Sequence, residues 1–303
     1  MKFEVTILGS SSSTPIFNRN PSAQVLNVNE KFILIDCGEG TQNQLLHFGI
    51  KANRIDHIFI SHMHGDHYLG LVGLLSSLHL NGRVKPMDIF GPPELKEIID
   101  LQFKHSQTYL RYPLNFRTTN PDISETIFES YDVIVESFPL DHRIPCTGFK
   151  FSEKQRMRKI IKEKVEGIGV PTEYIPLIKK GKDFTDANGR VHLAKDLTTE
   201  ADRPKVYVYC SDTICSWKYL ENIKNADTLY HEATFLHDML GRAEETFHTT
   251  ARQAAEVALK ANVRKLLIGH FSARYRELEP LLEEAREIFP ATSLALEGKT
   301  FHI

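Results

Sequence analysis

The chain has 303 residues, 41% of them hydrophobic and 25% charged, with a formal net charge of −2. These values are ordinary for a soluble globule of one large α/β domain or two small ones, and they exclude a wholesale polyanion-binding coat while leaving room for a local basic patch. No segment reaches the ~18 apolar residues needed to span a bilayer, and the N-terminus carries no apolar run of signal length. The four cysteines (Cys37, Cys146, Cys210, Cys215) are scattered without a CxxC pair. The expectation is a cytoplasmic protein with free thiols and no membrane contact.

Taken in order, Phe3–Leu8 alternates and is rich in β-branched residues, which predicts a strand. It runs into a loop of small residues, Gly9–Thr14, and a second loop from Pro15 to Pro21 that carries Arg19, a candidate phosphate contact. Gln24–Val28 and Phe32–Ile35 predict a hairpin turned at Asn29-Glu30 and closing on Asp36-Cys-Gly-Glu-Gly40. A carboxylate at the end of an apolar strand is placed to ligate a metal or, the preferred reading for Asp36, to orient a histidine ligand through its free N–H. Gln42–Phe48 predicts a short helix closed by Gly49.

The densest chemistry follows. Asp56–Ile60 reads as a buried strand, and Tyr68–Leu80 carries Leu69, Val72, Leu75 and Leu78 at helical spacing. Between them, four metal-capable side chains fall within six positions: His62, His64, Asp66 and His67. In an extended segment residues i and i+2 point the same way, so His62 and His64 can grip one ion from one side. Gly65 permits a sharp turn, after which Asp66 and His67 can reach a second ion. Imidazole and carboxylate without thiolate suit a catalytic zinc-type site that keeps a position open for water.

Later strands end in the same manner. Val133–Phe138 leads to His142, Val206–Cys210 to Asp212, and Leu266–Gly269 to His270. With the first cluster these make seven N/O ligands, enough for two ions with one shared carboxylate. Met87–Phe90 predicts a strand and Pro93–Lys104 a helix opened by proline. Ala226–Tyr230 leads into His231-Glu-Ala-Thr-Phe235, and His248-Thr-Thr250 opens a helix over Ala251–Ala261 that Thr249 or Thr250 can cap. A helix over Glu277–Ile288 and closing strands at Thr292–Leu296 and Phe301–Ile303 complete the chain. Strands followed by helices in both halves predict an α+β fold, an αββα sandwich of two sheets with helices outside.

Residues 152–203 break this rhythm. Lys154–Lys164 is strongly basic with helical propensity, and between residues 153 and 183 nine Lys/Arg stand against five Asp/Glu. An insertion that projects from the domain and grips a phosphate backbone accounts for this excess. A solvated helical hairpin is the plainer alternative.

HxHxDH at 62–67 resembles the metal motif of the metallo-β-lactamase fold, whose members act on several substrate classes. Within that superfamily the whole chain resembles ribonuclease Z, the endonuclease that removes the 3′ trailer of precursor tRNA. The residues that carry the resemblance are SHMHGDH at 61–67, Asp36 in DCGEG, His142, the CSDT around Asp212, HEATF at 231–235, HTT at 248–250 and HFSARY at 270–275. It implies a single metallo-β-lactamase-fold domain over 1–303, with 152–203 inserted as a tRNA-binding arm. It implies two zinc ions per subunit, one on His62, His64 and His142, the other on Asp66, His67 and His270, with Asp212 bridging. The implied reaction is metal-hydroxide attack on the phosphodiester, leaving a 3′-hydroxyl on the tRNA and a 5′-phosphate on the trailer. Asp66 would take a proton from the nucleophile, and His248, assisted by Glu232, would give one to the leaving oxygen.

The same resemblance places RNA contacts at Arg19 and Asn20, in the loop that reads the acceptor end, at Lys179 and Lys180 of the arm, and at Arg274. It also implies a homodimer in which one subunit's arm serves the other's active site. The chain departs from the family pattern where Phe17 replaces a lysine of the loop, where Val170-Pro-Thr-Glu-Tyr-Ile-Pro176 replaces the arm's Gly-Pro, and where Ser211 replaces the glycine before the bridging aspartate. The competing reading is a binuclear zinc hydrolase of small substrates, an arylsulfatase or phosphodiesterase, which shares the ligands but needs no basic arm. A non-catalytic RNA-binding subunit is disfavoured by the complete ligand set together with His248 and Glu232.

Overall fold

The structure, a computed structural model, describes residues 2–16 and 18–303; Phe17, where the loop departs from its family pattern, lies outside the described residues. Two compact units divide the chain: a core that runs to Ser152 and resumes from Lys205 to Ile303, and a second unit, Glu153–Pro204. Among the described residues no helix is long and apolar enough to cross a membrane.

The core holds two seven-stranded sheets. Edge to edge, the first runs Thr300–His302, Phe3–Gly9, Ala23–Val28, Lys31–Ile35, Ile55–Phe59, Met87–Gly91 and Leu114–Thr118. Pairing is antiparallel as far as Lys31–Ile35 and parallel beyond it. The second sheet runs Thr292–Leu294, Leu266–Gly269, Thr228–Glu232, Val206–Cys210, Cys146–Glu153, Val133–Leu140 and Glu125–Glu129. Its first four strands are parallel, and Val206–Cys210 meets Cys146–Glu153 antiparallel.

Alternation along each strand sorts the apolar side chains into three layers. Val5, Ile7, Leu26, Ile33 and Phe59 of the first sheet meet Val135, Phe149, Tyr207, Tyr209 and Leu267 of the second. The outer face of the first sheet packs Leu34, Ile58 and Ile89 against Leu71, Leu74, Leu75 and Leu78 of the helix Leu71–Leu80 and against Leu95, Ile99 and Phe103 of Glu94–His105. The outer face of the second packs Val208, Leu229 and Ile268 against Ala251, Ala254, Ala255 and Ala258, an alanine face that lets the helix Ala251–Lys260 lie close to the sheet. Helix, sheet, sheet, helix is the layering the sequence predicts.

Local departures have physical causes. The helix expected over Tyr68–Leu80 is two, Gly65–Tyr68 and Leu71–Leu80. They break at Gly70, where a Cβ would lie 2.1 Å from the Gly38 carbonyl oxygen. Three strands of the core go unpredicted, Leu114–Thr118, Glu125–Glu129 and Cys146–Glu153, as do the two-residue strands of the second unit.

In the second unit, the basic run Lys154–Lys164 is not one helix. Lys159–Ile160 pairs antiparallel with Thr198–Thr199, and helix begins only at Lys162. Ile160 and Ile161 are β-branched residues that favour the extended chain here. Val165, Ile178, Phe184, Ala194 and Leu197 form a small apolar core, so this unit is more than a solvated hairpin. Over its whole length it holds twelve Lys/Arg and nine Asp/Glu, a narrower excess than its first half carries. Lys159 pairs with Asp202 at 2.7 Å and Arg158 with Glu200 at 3.6 Å. Lys179 and Lys180 lie at the C-terminal end of the helix Ile175–Lys179, where cations are favoured.

Candidate metal centre and active site

Carboxyl ends of neighbouring strands deliver the polar groups. Asp36 follows Lys31–Ile35, His62 follows Ile55–Phe59, His142 follows Val133–Leu140, Asp212 follows Val206–Cys210, Glu232 ends Thr228–Glu232, and His270 follows Leu266–Gly269. Asp36 and His270 have φ of +54° and +60°, and Phe247 has +59°. Left-handed backbone at non-glycine residues is costly and is held only where the surroundings over-determine it. Here it turns the chain sharply at the mouth of the sandwich.

Two quartets of ligand atoms result. His62, His64, His142 and Asp212 form one, and Asp66, His67, Asp212 and His270 the other, each with its ligand atoms within 4.8 Å of one another. In the first, His64 Nδ1 lies 3.0 Å from His62 Nε2 and 3.1 Å from His142 Nε2, with Asp212 Oδ2 3.7 Å from His62 Nε2. In the second, His270 Nε2 lies 3.1 Å from Asp212 Oδ1 and 3.4 Å from Asp66 Oδ2, and His67 Nε2 lies 3.5 Å from Asp66 Oδ2. A tetrahedral ion with bonds of about 2.0–2.1 Å has ligand atoms about 3.3–3.4 Å apart, so both quartets have the right size. Two of the ligand atoms also lack other work. His67 Nε2 and Asp212 Oδ1, 3.3 Å apart and buried, have no hydrogen-bond partner among the described residues. Leaving such atoms unpaired costs about 1–3 kcal/mol each, which bound cations would offset.

Four histidines have the remote nitrogen occupied, which turns Nε2 inward. Nδ1 of His67 meets Asp36 Oδ2 at 2.7 Å, that of His62 meets Ser61 Oγ at 3.0 Å, that of His142 the Phe247 carbonyl at 3.0 Å, and that of His270 meets Thr234 Oγ1 at 3.0 Å. Asp36 is fully buried and also accepts from Ser61 N (2.8 Å), Ser61 Oγ (2.9 Å) and Tyr209 Oη (2.6 Å). Asp66 Oδ2 accepts from the Ser13 backbone N–H at 2.7 Å.

Charge follows burial and neighbours. Burial pushes His62, His64 and His142 below the ordinary imidazole value, toward the neutral form that binds metal. Burial opposes charge on His67 too, but Asp212, Asp66 and Asp36 hold it well above that value. Burial would raise Asp66 and Asp212; the surrounding histidines, led by His67 for Asp66 and His270 for Asp212, instead hold both carboxyls well below the usual range. The pocket is built for cations.

Beside the quartets stands a carboxylate–imidazole pair. His248 Nδ1 meets Glu232 Oε1 at 2.8 Å, and the His248 ring lies 5.4 Å from the His142 ring and 5.3 Å from the His270 ring. Burial lowers the His248 pKa, but Glu232 outweighs it and pushes it up to about 9. His248, Glu232 and His270 also lie near enough to hold an ion. We discount that group: Glu232 already accepts from Thr213 N, His248 Nδ1, Thr234 N and Thr234 Oγ1, and His270 Nε2 serves the second quartet.

The expected RNA contacts divide. Arg19 is buried, its Nη2 donating to the carbonyls of Tyr275 (2.8 Å) and Ser272 (3.4 Å), so it ties two loops together. Asn20 gives its backbone N–H (2.6 Å) and its side-chain amide (3.0 Å) to Glu297. Arg274 stays exposed, with its guanidinium 5.1 Å from the Phe235 ring centre. No individual role is expected from the sequence for Ser13, Ser61, Tyr209, Thr234 or Glu297; Ser13, Tyr209 and Glu297 meet their partners only on folding.

Comparison with known proteins gives the family and the fold. The chain is 47% identical over 305 residues to a ribonuclease Z of Cytophaga hutchinsonii, covering 100% of this chain and 97% of the relative. The chain belongs to the ribonuclease Z family. A crystal structure of human tRNase Z, short form, superposes with a TM-score of 0.72 at 28% identity, covering 99% of each chain. The metallo-β-lactamase-fold protein YhfI of Bacillus subtilis superposes with a TM-score of 0.70 at 18% identity over 100% of each chain, which places this ribonuclease Z family member in that fold. A family model described as Anti-Pycsar protein Apyc1 matches residues 3–136. That match spans His62, His64, Asp66 and His67 but ends before His142, Asp212, His248 and His270.

Proposed function

We propose that the chain is a tRNA 3′-processing endoribonuclease that works with two zinc ions. His62, His64 and His142 would hold one, Asp66, His67 and His270 the other, and Asp212 would bridge them. Bound there, the ions supply Lewis-acid activation of water and neutralise charge on the scissile phosphate. Asp66 takes a proton from the attacking water as its oxygen bonds to phosphorus. The bond from phosphorus to the 3′-oxygen breaks, and His248, protonated at neutral pH through Glu232, gives that oxygen a proton. The tRNA keeps a 3′-hydroxyl and the trailer a 5′-phosphate.

The carrying observation is the pair of quartets sharing Asp212 with the His248–Glu232 pair beside them, in a chain of this family. The second unit, with Lys179 and Lys180, is assigned to gripping the tRNA backbone, and Arg274 to the phosphate near the cleavage point. Arg19 and Asn20 act by fixing the loop that meets the acceptor end. Cytoplasmic location and homodimeric assembly rest on resemblance to the family; sedimentation of the purified chain at twice the monomer mass would support the dimer.

Incubating the purified protein with a 3′-extended precursor tRNA and mapping the ends tests the function. A chelator-sensitive cut beside the discriminator nucleotide, leaving a 3′-hydroxyl, is expected. Intact precursor alongside hydrolysis of bis(p-nitrophenyl) phosphate would shift the assignment to a hydrolase of small substrates.

A further inference from the structure

One hydroxyl lies between the metal ligands and the proton donor. Thr234 Oγ1 is 2.7 Å from Glu232 Oε2, 3.0 Å from His270 Nδ1, 3.0 Å from the His270 carbonyl oxygen and 3.5 Å from His248 Nδ1. A hydroxyl has a single proton to give. It goes to Glu232, the shortest contact and the charged acceptor. The oxygen of Thr234 is then left to accept, and the donor facing it is His270 Nδ1–H. That fixes the proton of His270 on Nδ1 and leaves the Nε2 lone pair facing Asp212 Oδ1 at 3.1 Å and Asp66 Oδ2 at 3.4 Å. The other oxygen of the same carboxylate, Glu232 Oε1, accepts from His248 Nδ1 at 2.8 Å.

We propose that Thr234 is a positioning residue that sets the tautomer of His270 and joins it, through Glu232, to the proton donor His248. One buried carboxylate thereby orders both the second ion's ligand and the acid. His270 reaches its carboxylate through an intervening hydroxyl, whereas His67 touches Asp36 directly at 2.7 Å. Thr234 is itself buried and lies two residues past the end of the Thr228–Glu232 strand. The inference rests on the proposed ligand role of His270, and the experiment separates the two.

Metal-free full-length protein is titrated with zinc by calorimetry, and precursor-tRNA cleavage is measured in parallel. Thr234→Val keeps the shape and removes the hydroxyl; Thr234→Ser keeps the hydroxyl. Thr234→Val should weaken the second zinc equivalent about 10–100-fold and lower kcat by a similar factor, the usual cost of removing a partner of a metal-bound histidine. KM for precursor tRNA should stay within about twofold, and Thr234→Ser should restore both quantities, since only the hydroxyl, not substrate contact, is at stake. If Thr234→Val does not fold, Thr234→Ala carries the same expectation. Wild-type affinity for both equivalents in Thr234→Val, while His270→Ala loses one, would overturn the proposal alone. So would a Thr234→Ser protein as impaired as Thr234→Val. Both equivalents retained in His270→Ala would overturn the ligand role beneath it.

Discussion

Replacing Asp36 by asparagine isolates one carboxylate from everything else that residue does. Its φ of +54° is a conformation asparagine tolerates, so the backbone should hold. Three donors converge on Oδ2: Tyr209 Oη at 2.6 Å, His67 Nδ1 at 2.7 Å and Ser61 Oγ at 2.9 Å. With its carbonyl kept toward Ser61 N, asparagine turns an NH2 group on all three. The two hydroxyls can rotate to accept. The imidazole can accept only by moving its proton to Nε2, where it faces Asp212 and Asp66 and must leave before an ion binds. Losing one charge-assisted bond costs about 1.5–3 kcal/mol. At about 1.6 °C per kcal/mol, from roughly 2.1 cal/mol/K of unfolding entropy per residue in a chain of this length, the Tm of the metal-free protein should fall by about 2–5 °C. The stronger consequence is on zinc, whose affinity at the second quartet should fall about 10–100-fold. Differential scanning calorimetry and zinc titration of Asp36→Asn measure the two effects. Zinc affinity equal to wild type would refute the claim that Asp36 sets the orientation and tautomer of His67.

Glu232→Gln removes the charge that raises the His248 pKa to about 9, so the basic limb of the kcat profile should move to lower pH; an unmoved limb in stopped-flow cleavage would separate Glu232 from the acid. Gly70→Ala places a Cβ 2.1 Å from the Gly38 carbonyl oxygen, and the strain should cost at least about 1–3 kcal/mol, read as a lower urea midpoint. Replacing Glu153–Pro204 by a short Gly-Ser linker should spare hydrolysis of bis(p-nitrophenyl) phosphate and abolish precursor-tRNA cleavage; equal loss of both would place the second unit in the core's chemistry.

How much of this was legible depended on the distance between partners in the chain. His62, His64, Asp66 and His67 announce themselves because strand periodicity and Gly65 organise them within six positions. His142, Asp212 and His270 could be read because each closes an apolar run. The structural bonds of Arg19 could not be read: its acceptors, the Ser272 and Tyr275 carbonyls, are about 250 residues away, and nothing local announces them. Tyr209 was invisible as a partner for the same reason, since Asp36 lies 173 residues away. The strand Cys146–Glu153 hid behind Gly148, which serves packing: a Cβ there would lie 2.4 Å from the Phe138 ring. In the second unit, charge and helix propensity favoured a continuous helix from Lys154 to Lys164, but pairing of Lys159–Ile160 with Thr198–Thr199 won, a contact made across about 40 residues.

The central claim is that two ions, joined by Asp212, act as one centre on the tRNA phosphodiester. Single-turnover cleavage of a 3′-extended precursor tRNA, measured as zinc is added back to the metal-free protein, tests it directly. The account predicts little cleavage up to one zinc per chain and a rise to full rate as the second binds. Full rate at one zinc per chain would contradict it.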